Sequence, residues 1–255
     1  MPKRYLRLPD GSLVEWKGSS GRTGGVGREE FETAVEGLSE AIADRSMWSG
    51  KTFIAFGTSL TSNDRNYDVT YLDIIAKRNG FASYINAAVS GSQMVDASYD
   101  DLCIRKKIQN TDISDYDLIL IECGTNDFFG NYPIGSVGEM GDTGFNTTTF
   151  AGALRATVEY ILTTHPDKRI MLITPPKRDR AGYDINTVNG AGHKLIEYVN
   201  AMWAVASLYS IPVCDWYRCS GINDLTLSTY TTDGLHPNAE GYLILGDLNY
   251  DSEIT

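Results

Sequence analysis

A cluster of hydroxyl side chains follows the first strongly apolar segment of the sequence. The run "FIAFG" (53–57) ends in glycine, and Thr58, Ser59, Thr61 and Ser62 come directly after it. Two kinds of site place hydroxyls at the end of a buried strand. One is a turn that cradles a phosphate group, and the other presents a serine as a nucleophile. These residues alone favour neither.

An aspartate and a histidine near the C-terminus could supply a base. The segment "DGLHPN" (233–238) places Asp233 three residues before His236, with a glycine between them. Pro237 disfavours a helical conformation at His236 and holds that residue extended. A loop of this shape brings the carboxylate to the imidazole Nδ1 and leaves Nε2 open, as a serine hydrolase requires. The same segment also suits a plain loop in which Asn238 caps the following helix.

The elements that must position these residues alternate between strand and helix from Lys51 onward. Short apolar segments predict strands buried on both faces at residues 52–57, 83–89, 117–123, 169–175 and 211–216. Helical patterns lie between and after them, at about 67–79, 148–164, 188–208 and 238–247. The pattern predicts an α/β protein, a three-layer α/β/α sandwich around a five-stranded parallel sheet.

In an open parallel sheet, ligands bind beyond the carboxyl ends of the strands. Polar residues 90–93 follow the second predicted strand, and residues 124–127 follow the third. N–H groups on such turns can stabilise an oxyanion, so these turns together with the hydroxyl and the Asp/His pair predict acyl transfer. Asp127 is interpreted as a turn aspartate in preference to a residue that holds the loop. The G-x-S-x-G elbow of α/β-hydrolases is absent.

Four segments together resemble the sequence blocks of the SGNH, or GDSL-type, hydrolases. They occur in the family's order and are "FGTSLT" (56–61), "NAAVSGSQ" (86–93), "GTND" (124–127) and "DGLHPN" (233–238). The resemblance spans residues 51 to about 247 and implies a flavodoxin-like SGNH hydrolase fold. Thr58 stands where the family's motif has an aspartate, which is not one of the family's catalytic residues.

The resemblance also implies roles for individual residues. Ser59 would be the nucleophile, His236 the general base and Asp233 the carboxylate that orients the histidine. The oxyanion would be bound by the backbone N–H groups of Ser59 and Gly91 and by the side-chain amide of Asn126. The expected activity is that of a serine esterase that hydrolyses carboxylic esters, with neither a metal nor an organic cofactor.

Aromatic residues near these segments suggest the substrate. Flat rings beside hydrogen-bonding groups suit sugar faces, and the candidate substrate-binding residues are Phe128, Phe129, Tyr132, Tyr183 and Tyr230. No long apolar lid segment is evident, which favours a short acyl group, such as acetyl, on a carbohydrate. The alternatives are a lipase-, lysophospholipase- or thioesterase-type enzyme, a non-catalytic binding or structural module on the same fold, and a flavin-binding protein that uses the hydroxyl-rich turn.

Residues 1–50 are predicted to form an N-terminal extension, separate from a hydrolase domain at 51–255. The extension combines two short extended pieces, a Gly-rich linker and an amphipathic helix. The apolar stripe of that helix suits oligomerisation, attachment to a larger assembly or packing on its own domain. The sequence favours none of the three.

The composition limits the partners. A net charge of −11 argues against a general affinity for nucleic acid. No apolar run is long enough to span a membrane, and no secretory signal is recognised. The expected partner is a small-molecule or glycan ester. The expected location is the cytoplasm or a larger particle such as a phage virion.

Overall fold

The computed structural model describes residues 4–7, 13–16, 33, 37, 46–97 and 100–251. Strands β1 (Arg4–Arg7) and β2 (Leu13–Trp16) pair antiparallel and belong to the predicted N-terminal extension. The Gly-rich linker and most of the amphipathic helix lie outside the described residues. The division at residue 50 therefore stays a prediction.

The main sheet has five strands, and every pairing in it is parallel. The strands are β3 (Thr52–Phe56), β4 (Ser83–Asn86), β5 (Leu118–Glu122), β6 (Arg169–Ile173) and β7 (Val213–Cys214). Their spatial order is β4-β3-β5-β6-β7, which is the flavodoxin-like order of a doubly wound sheet. The predicted fold class is confirmed.

Helices connect the strands and follow the last of them. Within the described residues 46–97 and 100–251, the four long or medium helices are α2 (Tyr71–Asn79), α5 (Phe150–Thr164), α6 (Leu195–Tyr209) and α9 (Ala239–Asp251). The short ones are α1 (Ser59–Ser62), α3 (Ile104–Gln109), α4 (Thr125–Phe129), α7 (Trp216–Cys219) and α8 (Leu227–Tyr230). A 3₁₀ turn, Asp100–Leu102, precedes α3.

Alternate side chains of β3, β5, β6 and β7 enter two separate cores, because successive residues of a strand point to opposite faces. Ile119 and Ile121 of β5 are buried in one core together with residues of α3, α5 and α6. Leu118 and Leu120 are buried in the other core together with residues of α1, α2 and α7–α9. The sheet is thus the middle layer of three.

Several predicted elements differ from the structure, and three of the differences are informative. The second predicted strand, β4, is an edge strand rather than a strand buried on both faces, and Ile85 within it is 48% exposed. The last predicted strand is shorter because Asp215 leaves it to cap α7, accepting a hydrogen bond from the Arg218 N–H at 3.0 Å. Helix α6 begins at Leu195 rather than at residue 188. The five short helices were not predicted.

All the parallel strands run in one direction, so their carboxyl ends share one edge of the sheet. The segments after β3, β4 and β5 leave from that edge. Among the described residues, no helix is long and apolar enough to cross a membrane.

Candidate active site

Ser59 lies at the start of a short helix immediately beyond the first strand of the main sheet. Thr58 caps that helix, and its Oγ1 accepts a hydrogen bond from the Leu60 N–H at 3.2 Å. The backbone N–H of Ser59 is at the first helical position, where no intrahelical acceptor exists. Gly57 is needed before the cap, because a Cβ there would lie 2.6 Å from the Thr61 hydroxyl. The hydroxyl cluster is therefore a tight strand-to-helix turn that leaves the serine half-buried.

The loop before α9 brings a histidine to that serine. The Nε2 atom of His236 lies 2.9 Å from the Ser59 Oγ, although 177 residues separate them in the chain. On the other side of the ring, Nδ1 lies 2.8 Å and 3.0 Å from the two carboxylate oxygens of Asp233. Gly234 between them has a φ of +79°, and a Cβ there would lie 1.9 Å from the Asp179 carbonyl oxygen. Only glycine fits this turn.

Two arginines share the Asp233 carboxylate with the histidine. The Oδ2 atom of Asp233 lies 3.1 Å from Arg65 Nη2 and 3.0 Å from Arg180 Nε. Burial alone would raise the pKa of Asp233, but hydrogen bonds from the His236 backbone and ring lower it, so the group is ionised at neutral pH.

The same charges act on the histidine. Burial lowers the pKa of His236 from its usual 6.5, the hydrogen bond with Asp233 opposes this, and the two arginines reinforce it. The imidazole is therefore neutral at neutral pH, with Nε2 able to accept a proton from a serine.

Two further predicted residues lie beside Ser59. Gly91 has a φ of +82°, which favours glycine, while a Cβ there would meet no atom within 4 Å. The reason for glycine at this position is therefore its backbone conformation and not crowding. Asn126 lies in the first turn of α4, and its Nδ2 donates to the Ser92 carbonyl at 2.8 Å. That bond uses one of the two amide hydrogens and fixes the amide next to the turn that holds Gly91.

These residues surround a cavity of about 540 Å³. Its lining comprises Ser59, Asp64, Arg65, Ser90, Gly91, Asn126, Phe129, Arg178, Arg180, Leu235 and His236. Among the described residues, no group of three or more His, Cys, Asp or Glu side chains could hold a metal ion.

Comparison with known proteins identifies the family. Residues 54–244 match the GDSL-like Lipase/Acylhydrolase family. The chain belongs to this family. The match covers most of the segment predicted from the four sequence blocks, so the resemblance is confirmed, and the protein is by family an ester hydrolase.

Solved structures of the same fold have low sequence identity to this GDSL-like protein. A protein from Lactobacillus plantarum is 25% identical with a TM-score of 0.68, over 79% of this chain and 95% of that one. A GDSL-like lipase from Bacteroides thetaiotaomicron is 19% identical (TM-score 0.55; 85% and 95% covered). A lipase/acylhydrolase from Enterococcus faecalis is 20% identical (TM-score 0.52; 78% and 93% covered). A comparison with curated proteins gave no match.

The aromatic residues predicted to bind substrate are distributed differently from the prediction. Of the five, only Phe129 lines the cavity of the GDSL-like protein, and it is 45% exposed. Phe128 has no exposed surface and packs in the core, so its assignment to substrate binding is corrected. Tyr183 packs edge-on against Phe129 with ring centroids 4.9 Å apart. Tyr132 and Tyr230 are half-buried and pack against opposite cores, away from the cavity lining.

The other two histidines are remote from the site. His165 ends α5, just before β6, at the opposite edge of the sheet. His193 precedes α6, where its Nδ1 lies 3.2 Å from Glu197 Oε1. Neither histidine lies in the cavity lining.

Two buried carboxylates lie behind the cavity, and of these Glu122 was not predicted from the sequence. Glu122, at the end of β5, has an oxygen 2.8 Å from the Thr58 N–H and 2.7 Å from its hydroxyl. Asp127 accepts hydrogen bonds from the Met94 N–H at 2.9 Å and the Val95 N–H at 3.2 Å. Asp127 therefore holds the loop after β4, contrary to the preferred interpretation as a turn aspartate.

Three arginines that line the cavity were also not predicted as site residues: Arg65, Arg178 and Arg180. Lys177 and Arg178 follow the fourth predicted strand, so position alone was the available signal for them. Arg65 lies after α1, and nothing in its local sequence marks it.

Proposed function

We propose that Ser59, His236 and Asp233 are the catalytic triad of a serine esterase. The observation that carries this proposal is the 2.9 Å separation of Ser59 Oγ and His236 Nε2, with Asp233 at 2.8 Å from the opposite ring nitrogen. The nucleophile is thus within hydrogen-bond reach of the base, and the base is within hydrogen-bond reach of the orienting carboxylate.

The reaction would proceed in two steps. His236 Nε2 takes the proton of Ser59 as Oγ attacks the ester carbonyl carbon, and the imidazolium then protonates the leaving alcohol. The acyl group remains on Ser59 as an ester. A water molecule, deprotonated by the same ring, attacks that ester and releases the carboxylic acid, which restores the serine.

The negative charge on the carbonyl oxygen would be bound by three N–H donors. These are the backbone N–H groups of Ser59 and Gly91 and the side-chain amide of Asn126. The bond from Asn126 Nδ2 to the Ser92 carbonyl supports this role, because it holds the amide in place before the substrate arrives.

The proposed acyl group is short. Leu235 and Phe129 are the only apolar side chains in the described lining of the cavity, and the rest are polar, charged or glycine. A long acyl chain would leave its apolar surface against arginine and aspartate side chains, which is unfavourable. We therefore infer acetyl or a similar group as the acyl part and a polar alcohol, such as a sugar hydroxyl, as the leaving group.

The test is a release assay with synthetic esters of increasing acyl length and with acetylated glycans, in which the freed acid is measured. We expect acetate release to be fastest and to disappear in Ser59→Ala. Labelling by a fluorophosphonate is expected on Ser59 alone. A preference for long acyl chains would instead indicate a lipase-type enzyme. Absence of both hydrolysis and labelling in the intact protein would indicate a non-catalytic binding module.

A further inference from the structure

Three guanidinium groups line the cavity of a protein whose net charge is −11. They belong to Arg65, Arg178 and Arg180. Reaction of a neutral ester at Ser59 does not require them. The proposed triad and oxyanion donors leave Arg178 without a role, and Arg65 and Arg180 touch the triad only through Asp233.

Arg178 is a buried cation without a carboxylate partner. It is 2% exposed, and among the described residues no carboxylate lies within 4.0 Å of its guanidinium nitrogens. Its Nη1 donates to the Thr125 hydroxyl at 2.9 Å, its Nη2 to the Arg180 carbonyl at 3.4 Å, and its Nε has no hydrogen-bond partner among the described residues. The Phe129 ring, 5.6 Å away, adds a weak cation–π contact.

Burial of an unpaired charge is costly, and it lowers the pKa of Arg178 to about 10. The group nevertheless remains protonated at neutral pH. A buried charge is normally paired, so a partner from outside the chain would complete this site.

Two aspartates lie near these arginines, and neither is paired with Arg178. Asp233 contacts Arg65, Arg180 and the His236 ring. The Ser90 and Ser62 hydroxyls and the charge of Arg65 lower the pKa of Asp64, which is exposed. Three arginines and two aspartates thus lie in or beside the cavity, and the excess positive charge lies where a substrate would bind.

We propose that the substrate carries an oxyanion, a carboxylate or a phosphate, on its alcohol portion, and that Arg178 and Arg180 bind it. This proposal rests on the proposed function. A short acyl group such as acetyl carries no charge, so the anionic group must lie on the alcohol portion of the ester. The substrate class is thus a short-chain ester of an acidic alcohol, such as an acidic sugar. Thr125, which accepts from Arg178, adjoins Asn126, so the anion site and the oxyanion donors are coupled through one turn of α4.

The experiment compares three matched esters: an O-acetyl methyl glucoside, the corresponding glucuronate and the corresponding sugar phosphate. The ratio of kcat/KM for an anionic ester to that for the neutral ester is the readout, since effects on the triad cancel in it. We expect a ratio of about tenfold or more, the strength of a charge-assisted hydrogen bond. The ratio should fall as ionic strength rises. The carboxylate and phosphate arms identify which anion is preferred.

Variants test the residues named. The Arg180 side chain is 44% exposed, so the Arg180→Gln variant should fold. In this variant the ratio of kcat/KM values should fall towards one. Arg178→Gln should have the same effect. If Arg178→Gln does not fold, Arg178→Lys takes its place as the test, and because it keeps the charge it should retain part of the ratio. Arg78→Gln is the matched control, because Arg78 is a surface arginine of α2 paired with Asp247 at 2.6 Å. It should leave the ratio unchanged.

A calorimetric titration of the Ser59→Ala protein with methyl glucuronide and methyl glucoside gives a second reading that does not depend on catalysis. Preferential binding of the glucuronide, lost in Arg180→Gln, supports the proposal even if no ester is hydrolysed. Hydrolysis with equal kcat/KM for neutral and anionic esters would overturn the anion site and leave the esterase standing. Absence of hydrolysis together with equal binding of both sugars would overturn both.

Discussion

At the scale of single residues, the Asp233 carboxylate is the most heavily shared group in the site. It contacts the His236 ring and both Arg65 and Arg180, and its Oδ1 also accepts from the His236 backbone N–H at 3.0 Å. The arginines hold the carboxylate in position, but they also reduce the negative potential that it exerts on the imidazole. The basicity of His236 is therefore set by a balance of charges that single substitutions can shift.

Removal of Arg65 should move the pH dependence of catalysis. A general base must be neutral, so kcat/KM falls as pH falls through the pKa of His236. Burial, Arg65 and Arg180 lower that pKa, so the acid limb should have its midpoint below 6.5. In Arg65→Gln one lowering charge is lost, and the midpoint should rise. The measurement is kcat/KM for acetyl ester hydrolysis against pH. An unchanged midpoint in Arg65→Gln, or a shift of equal size in Arg78→Gln, would contradict the proposed coupling.

Asn126→Ala should lower kcat by about 100-fold or more, because one oxyanion donor is lost in the transition state. The KM should change little, since the donor acts on charge that develops only during reaction. Steady-state kinetics with an acetyl ester provide the test. Thermal unfolding and fluorophosphonate labelling serve as controls for folding and for an intact Ser59. A large rise in KM at unchanged kcat would assign Asn126 to substrate binding instead.

At the scale of elements, the loop before α9 supplies Asp233 and His236, and the rest of the site is built from the turns that follow β3, β4 and β5. Two buried carboxylates tie these turns together. Glu122 at the end of β5 binds the capping residue Thr58, and Asp127 in α4 binds the loop after β4 through two backbone N–H groups. Each carboxylate spans a gap of more than thirty residues in the chain, so it fixes the relative position of two turns.

The contact between Thr58 and Glu122 accounts for the departure from the family's motif. The Thr58 hydroxyl donates to Glu122 Oε2 at 2.7 Å, deep in the protein. An aspartate at position 58 has no proton to donate when ionised and would place a second carboxylate against the first. This chain therefore carries its buried carboxylate on the neighbouring strand and a donor in the motif.

Thr58→Asp should lower the free energy of unfolding by about 3 kcal/mol, the cost of an uncompensated buried charge. Thr58→Ser, which keeps the hydroxyl, should cost much less. The double variant Thr58→Asp with Glu122→Gln should recover stability, because the glutamine amide can donate to the new carboxylate. Urea unfolding at neutral pH measures all of these. Equal stability of Thr58→Asp and the parent protein, or no recovery in the double variant, would show that the two side chains are not coupled.

At the scale of the whole molecule, apolar periodicity was sufficient to predict the sheet, because buried strands and long amphipathic helices leave strong patterns. The burial of β4 was not predictable, since an edge strand with Tyr84 and Ile85 is as apolar as a central one. The short helices α1, α4, α7 and α8 span four or five residues, too few for a periodic signal. They form because tertiary contacts and caps hold them.

The candidate site shows the same division. Ser59, Gly91, Asn126, Asp233 and His236 were recognisable because they sit in four segments with fixed local patterns. Arg178, Glu122 and Asp127 act through partners far away in the chain, and no local pattern encodes such pairs. Phe128 and Phe129 are adjacent and chemically identical, yet one is in the core and the other lines the cavity. Only the helical turn of α4 distinguishes them.

The two buried carboxyls should also make global stability depend on pH. Burial raises the pKa of Glu122 from 4.5 to about 7 and that of Asp127 from 3.8 to about 6. Each carboxyl has a higher pKa in the folded protein than in the unfolded chain. The free energy of unfolding is therefore highest below the unfolded pKa, and it decreases as pH rises from the unfolded pKa through the folded one. For Glu122 the window runs from 4.5 to about 7 and corresponds to about 3 kcal/mol. The lowered pKa of His236 acts in the opposite direction, costing stability as pH falls below 6.5.

Urea unfolding of the parent protein and of Glu122→Gln at about pH 5 and about pH 8 isolates this contribution. The glutamine retains an acceptor for the Thr58 N–H and cannot ionise, so the loss of stability between the two pH values should be smaller by about 2.5 kcal/mol than in the parent. Glu240→Gln, which removes an exposed carboxylate in the first turn of α9, is the matched charge control and should leave the loss unchanged. Since a constant offset at both pH values reflects only the altered hydrogen bonds, the difference between them is the deciding quantity. An equal loss in Glu122→Gln and the parent would mean that Glu122 is already ionised at about pH 5, and that its burial is offset by the Thr58 and Thr61 hydrogen bonds.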